Sequence, residues 1–176
     1  MITGYATPKG TKKFAERQNQ DSQKNYNNVH NLTLSNVGIG TYLGNPDTET
    51  DYLVQDAVKK SILGGINVID SAINYRAQKA ERSVGNAISQ LIDNNDISRE
   101  EIFVSTKNGY VTNDGDIKED LMQYVMREYG KTGIVKEGDI SPGYHCMTIP
   151  YLNDQLERSL KNLGLDCVDL MYLHNS

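Results

Sequence analysis

The sequence predicts an α/β protein built on a parallel sheet, and three observations predict it. Short, nearly continuous apolar runs of strand length recur along the chain, stretches with helical apolar spacing separate them, and glycine or asparagine closes those helical stretches. The order read from them is β-α-β-α-β-α-β, the alternation of strands buried on both faces and covered by helices.

The elements follow in order. The opening residues are polar, with "KKFAERQNQDSQKNYNNVHN" showing no sustained apolar period, so residues 1–31 read as a polar N-terminal extension. A mobile or loosely docked arm is the expectation there; the other reading is an ordered arm closing one end of the fold. Residues 32–176 form the body. "LTLSNVGIG" is the first strand, ending in glycine, and "TDYLVQDAVKKSILGG" is an amphipathic helix with Val54, Ala57, Val58, Ile62 and Leu63 on its apolar face. "INVIDS" is the second strand. "AERSVGNAISQLIDNN" is a helix through Val84, Ala87, Ile88, Leu91 and Ile92, and "EIFVSTK" is the third strand. "YLNDQLERSLKNLG" is a helix facing inward with Leu152, Leu156, Leu160 and Leu163, and Pro150 suits its first turn. "CVDLMYLHNS" is the fourth strand. An insertion at 108–147 breaks the rhythm; it includes "DIKEDLMQYVMREYG", a further helix stopped by Gly130, and "GDISPGYH", a candidate lid.

Bulk properties narrow the function classes. The chain has 176 residues, 38% hydrophobic, and a net charge of −5 without a basic stripe, which speaks against nucleic acid as a partner. No apolar run reaches membrane-span length, and "MITGYATPKG" lacks the apolar stretch of a signal peptide. Two cysteines, Cys146 and Cys167, imply no disulfide framework, so a cytoplasmic setting is expected. Joining His145, Cys146, Cys167 and His174 into a zinc site matches no structural zinc spacing, and no metal is expected.

Chemistry in parallel α/β folds gathers at the C-terminal ends of the strands. The first strand ends in Gly40, Thr41 and Tyr42, the second in Asp70 with Tyr75 just beyond, the third in Lys107, and the fourth in His174 with Asn175. Each alone has a structural explanation: a turn cap, a strand reaching water, a packed ring, a hydrogen-bonded core histidine. Together on one face they make a coherent set. A phenol is a weak acid, a neighbouring ammonium favours its ionised form, a carboxylate can hold that ammonium, and an imidazole can position an oxygen or assist proton transfer. None of these groups delivers electrons, so redox chemistry here needs a cofactor.

Three segments carry a resemblance. "GINVIDSAINYRAQKAERSVGNAI", "EIFVSTK" and "LERSLKNLGLDCVDLMYLHNS" resemble the amino-terminal half of an aldo-keto reductase, from about Leu32 to Ser176 with the insertion between. The resemblance implies a (β/α)8 TIM barrel of which only the first four strands are present. It implies Asp70, Tyr75, Lys107 and His174 as the catalytic set, with Tyr75 as proton donor, Lys107 and Asp70 tuning it, and His174 orienting the substrate oxygen. Gly40, Thr41, Tyr42 and Asp70 would lie near the nicotinamide of NADPH, with NADH possible. The substrate would be a small aldehyde or ketone. A complete barrel takes about 250 residues, so a fragment lacking most of the cofactor grip, with little catalysis of its own, is the expectation. The other function class is a non-catalytic nucleotide-binding or structural half-barrel subunit acting with a partner. Substrate identity and oligomeric state are not legible.

Overall fold

The computed structural model describes residues 1–18 and 24–175. Positions 19–23 of the expected extension, and Ser176 at the end of the expected barrel segment, lie outside the described residues. In chain order the elements are α1 (Pro8–Glu16), β1 (Tyr26–Val29), β2 (Leu32–Ser35), β3 (Ile39–Gly40), α2 (Thr48–Leu63), β4 (Val68–Asp70), α3 (Lys79–Asp93), β5 (Phe103–Asn108), α4 (Leu121–Val125), α5 (Ile149–Leu163) and β6 (Leu170–Leu173).

The expected parallel sheet is present. Strands β3, β4, β5 and β6 pair side by side in sequence order, all parallel, with Gly40 opposite Asp70, Asp70 opposite Ser105, and Ser105 opposite Leu170. Alternation along β5 sends Val104 and Thr106 toward the helices and Ser105 and Lys107 to the other face. Between sheet and helices lies one continuous core that includes Val58 and Ile62 of α2, Ile69, Val84, Ile88 and Leu91 of α3, Val104, and Leu163 of α5.

Three expectations are corrected. "LTLSNVGIG" is not one strand: Leu32–Ser35 pairs antiparallel with Tyr26–Val29 as a hairpin, and only Ile39–Gly40 joins the parallel sheet. On α2, Val58 and Ile62 are buried in the core against α3 and the sheet, but Ala57 and Leu63 are exposed. On α5 the buried stripe is Tyr151, Gln155, Ser159 and Leu163; Leu152, Leu156 and Leu160 are half-buried. The helix is rotated toward two polar groups that it supplies, Gln155 donating to the Tyr129 hydroxyl at 3.2 Å and Ser159 lying beside Glu81.

The described part of the N-terminal extension is also ordered, against the expectation of a loose arm. Thr7 caps α1 by accepting from Gly10 N at 3.0 Å, Pro8 occupies the first turn, and Phe14 and Ala15 are buried. This segment lies across the N-terminal ends of the strands. Thr7 N donates to Glu100 O, and Lys13 and Arg17 reach the buried Glu101 carboxylate at 3.1 and 2.7 Å. Asp169, just before β6, accepts from Ala6 N, Arg99 Nη2 and Val104 N at 2.6, 2.8 and 2.7 Å. Asn67, just before β4, ties the hairpin in by accepting from Ser35 N and donating to Thr33 O.

The insertion shares a second small core with α5, which includes Val111, Tyr124, Val125, Tyr129 and Cys146 of the insertion and Tyr151 of the helix. Helix α4 runs into a π-type turn over Met126–Gly130, so the expected stop at Gly130 is where helical structure ends. Its two limbs meet in a neck: Val111 N donates to Tyr144 O at 2.7 Å, Cys146 N donates to Gly109 O at 2.9 Å, and Tyr110 faces His145.

Candidate active site

The four candidate side chains come together above the C-terminal ends of β4, β5 and β6. Asp70 ends β4, Lys107 is next to last in β5, His174 follows β6, and Tyr75 sits in the loop after β4. Lys107 Nζ donates to Asp70 Oδ2 at 2.6 Å and to Ser71 O at 2.7 Å, and stands 4.6 Å from the centre of the Tyr75 ring. The Tyr75 and His174 rings are edge to face with centroids 5.6 Å apart. Among the described residues no protein group hydrogen-bonds the Tyr75 hydroxyl.

Residues without a role in the sequence reading hold these groups. Ser105, one rung across from Asp70, donates to Asp70 Oδ1 at 2.7 Å, so both carboxylate oxygens are engaged. The buried Glu81 of α3 accepts from Thr106 Oγ1 at 2.6 Å and from Asn162 Nδ2 at 3.0 Å, tying β5 beside Lys107 to two helices. Burial pushes the Glu81 carboxyl upward, against the lowering by its hydrogen bonds. Asn74 Oδ1 lies 3.0 Å from His174 Nδ1. Burial, then the Lys107 ammonium and His145, hold His174 below the usual imidazole range, with Asp70 opposing them.

The loop that presents Tyr75 is strained and anchored. Arg76, Ala77 and Gln78 have φ of 52, 52 and 72°, three successive left-handed residues that side chains disfavour. Arg76 compensates: its buried guanidinium pairs with Asp51 of α2 and donates to Asn45 O at 2.9 Å. The signal available in the sequence was an arginine directly after the tyrosine, and it is indistinguishable there from a surface charge.

The residues expected near a nicotinamide divide. Thr41 is buried and its hydroxyl is engaged with Asp70 O and Ser71 Oγ at 3.2 and 3.0 Å. Gly40 has open space where a Cβ would be. Tyr42 is 66% exposed, its ring edge to face with Tyr75 at 5.1 Å. The insertion adds a fourth and fifth ring to this wall: Tyr110 lies 6.0 Å from His174 and 4.7 Å from His145. Cys167 lies before β6, at the opposite end of that strand from His174. A surface depression of about 790 Å³ between α3 and α5 lies elsewhere, and its arginines are paired: Arg82 with Asp114, Arg158 with Asp154.

Comparison with known proteins shows the family and the fold. Residues 36–176 match the family model described as the Aldo/keto reductase family. The NADH-specific methylglyoxal reductase of Escherichia coli (strain K12) is 30% identical over 148 residues, covering 81% of this chain and 39% of that protein. Aldose reductase B of Dictyostelium discoideum is 26% identical over 157 residues, 89% of this chain and 37% of that protein. The chain therefore spans less than half the length of these relatives. Among solved structures, an aldo-keto reductase from Klebsiella pneumoniae in complex with NADPH superimposes with a TM-score of 0.52 at 21% identity, over 82% of this chain and 37% of the other.

Proposed function

The chain belongs to the aldo/keto reductase family, and from that premise we propose that it supplies the proton-transfer side of an NAD(P)H-dependent reduction of a small aldehyde or ketone to its alcohol. The observation that carries the reading is the Lys107–Asp70 ion pair standing against the Tyr75 ring, with His174 at that ring's edge.

Tyr75 is the proton donor. Its free hydroxyl gives a proton to the substrate oxygen as the carbonyl carbon becomes an alcohol carbon, and solvent restores it. Lys107 faces the ring and favours the phenolate left behind, while Asp70 and Ser71 O fix the ammonium there. His174 borders the substrate and positions it. NADPH, or NADH, supplies the hydride when bound; relatives of both kinds are known, one named NADH-specific and one solved with NADPH. The exposed Tyr42 ring beside Tyr75 and the open space over Gly40 fit a flat nicotinamide ring.

Among the described residues the end strands β3 and β6 each have a single neighbour in the sheet. We therefore place the reaction in an eight-stranded barrel in which further strands complete the cofactor grip, acting in the cytoplasm. No helix among the described residues is long and apolar enough to cross a membrane. In the native polypeptide, Tyr75→Phe is expected to lower carbonyl-dependent NADPH oxidation about 10²–10⁴-fold, the usual contribution of a positioned acid, with nucleotide binding unchanged by fluorescence titration. Turnover that survives the substitution removes Tyr75 from the donor role.

A further inference from the structure

Of the three left-handed residues behind Tyr75, Arg76 is anchored to α2, and the other two are held from the insertion. Gly115 N donates to Ala77 O at 2.9 Å, and Gln78 Nε2 donates to Asn113 O at 3.1 Å and to the Tyr124 hydroxyl at 3.2 Å. The turn at 113–116 is itself closed, Asp116 N donating to Asp114 Oδ1 at 3.0 Å. It lies directly on the start of α3: a Cβ at Gly115 would stand 2.7 Å from Lys79 Cδ and 3.2 Å from Pro46 Cβ.

Charges lock the same joint. Lys79, the first residue of α3, bridges Asp51 of α2 at 2.9 Å and Asp116 at 2.6 Å. Arg82, one turn on, takes Asp114 at 2.6 Å and Asp116 at 2.5 Å, and Asp51 also takes Arg76. These three cations and three carboxylates form one continuous network from α2, across the tyrosine loop and α3, to the insertion. The hydrogen bond from Lys79 holds the Asp116 carboxyl below the usual carboxylate range, against the opposing effect of burial.

Strained backbone persists only where its surroundings over-determine it, and here the insertion supplies part of those surroundings. Resting on the reductase reading of Tyr75, we propose that the turn at 113–116 is a positioning device for the proton donor. It keeps Ala77 and Gln78 left-handed, and so keeps the Tyr75 ring against Lys107 and His174, without touching the substrate. Asp114 and Asp116 are its positioning residues.

Amide hydrogen exchange reads the loop without cofactor or turnover. The Ala77 and Gln78 amides are bonded within the loop, to Asn74 O at 3.3 Å and Ile73 O at 3.0 Å, so their protection reports whether the triplet holds. In Asp114→Ala/Asp116→Ala they are expected to exchange about tenfold faster, and in Asp116→Ala about threefold faster. The single variant, at a side chain 57% exposed, carries the test if the double variant does not fold. Glu128→Gln is the control: it weakens the insertion's pair with Arg158 of α5 and should leave both amides as they are. Unchanged exchange in the Asp variants overturns the proposal. Equal acceleration in Glu128→Gln also overturns it, because the loop would then depend on the docking of the whole insertion and not on this turn. In the native polypeptide the double variant is expected to lower kcat about tenfold with KM for the nucleotide unchanged; an unchanged kcat alongside faster loop exchange would remove the positioning role. Retained reduction in Tyr75→Phe would instead sink the reductase reading and leave the exchange result standing.

Discussion

The two ends of the sheet treat charge in opposite ways. At the N-terminal ends of the strands, charged groups close on one another: Asp169 takes Arg99 and two backbone amides, and Glu101 takes Lys13 and Arg17. At the C-terminal ends, Lys107 and Asp70 pair, but the Tyr75 hydroxyl beside them has no hydrogen-bond partner among the described residues and the Asp70 side chain stays 39% exposed. Paired charges hold strands in place; an exposed carboxylate and an open hydroxyl are available to a ligand. The comparison teaches that one end of this sheet is closed by paired charges while the other, to which we assign the chemistry, leaves a hydroxyl open, and each side can be broken without the other.

The largest break is Asp169→Ala. It strands the Arg99 guanidinium, whose side chain is only 3% exposed, and is expected to lower unfolding free energy by about 3–5 kcal/mol in urea titrations. The His174 imidazole signals should be unchanged in the folded protein; a coupled change there would mean the two ends are not independent. Gly10→Ala comes next. A Cβ at Gly10 runs into the Glu100 carbonyl, and the expected loss is about 1–3 kcal/mol, with faster amide exchange over Pro8–Glu16 as its signature. Protection of α1 equal to the unsubstituted protein would show that the arm is not docked through this contact. Ser105→Ala is the smallest, about 1 kcal/mol, because it removes one hydroxyl, shared between Asp70 Oδ1 at 2.7 Å and Ile69 O at 3.4 Å. Its readout is the Lys107 ammonium resonance, which should broaden as the Asp70 carboxylate gains freedom; an unaltered resonance would leave Ser105 without a positioning role.

How much of this was legible follows the same division. Long apolar periods gave the helices and the parallel order, since Val84, Ile88 and Leu91 recur at helical spacing and are buried as such. Asp70, Lys107 and His174 were legible because strand ends in a parallel sheet share one face. The hairpin was not, because "LTLS" carries no mark of which strand it pairs with, and its partner lay in a segment read as loose. The docking of α1 was written in Thr7-Pro8 and Phe14, but two apolar residues in a polar run make a weak period. The positioning residues were the hardest. Asn74, Arg76, Glu81 and Ser105 act through contacts across elements, with partners as far as 100 positions away in the chain, and a hydrogen bond of that reach leaves no local pattern.

The neck of the insertion has one more consequence. Gly109, Tyr110 and Val111 are tied to Tyr144, His145 and Cys146, so everything beyond that crossing leaves and re-enters at fixed points. Doubling a loop's length costs only about 0.6 kcal/mol in closure entropy. Beyond the crossing the excursion is held as well, Gln78 donating to Asn113 O and the Tyr124 hydroxyl and Gln155 to the Tyr129 hydroxyl, so a change in its length leaves Tyr110 and His145 beside His174 only where those contacts are kept.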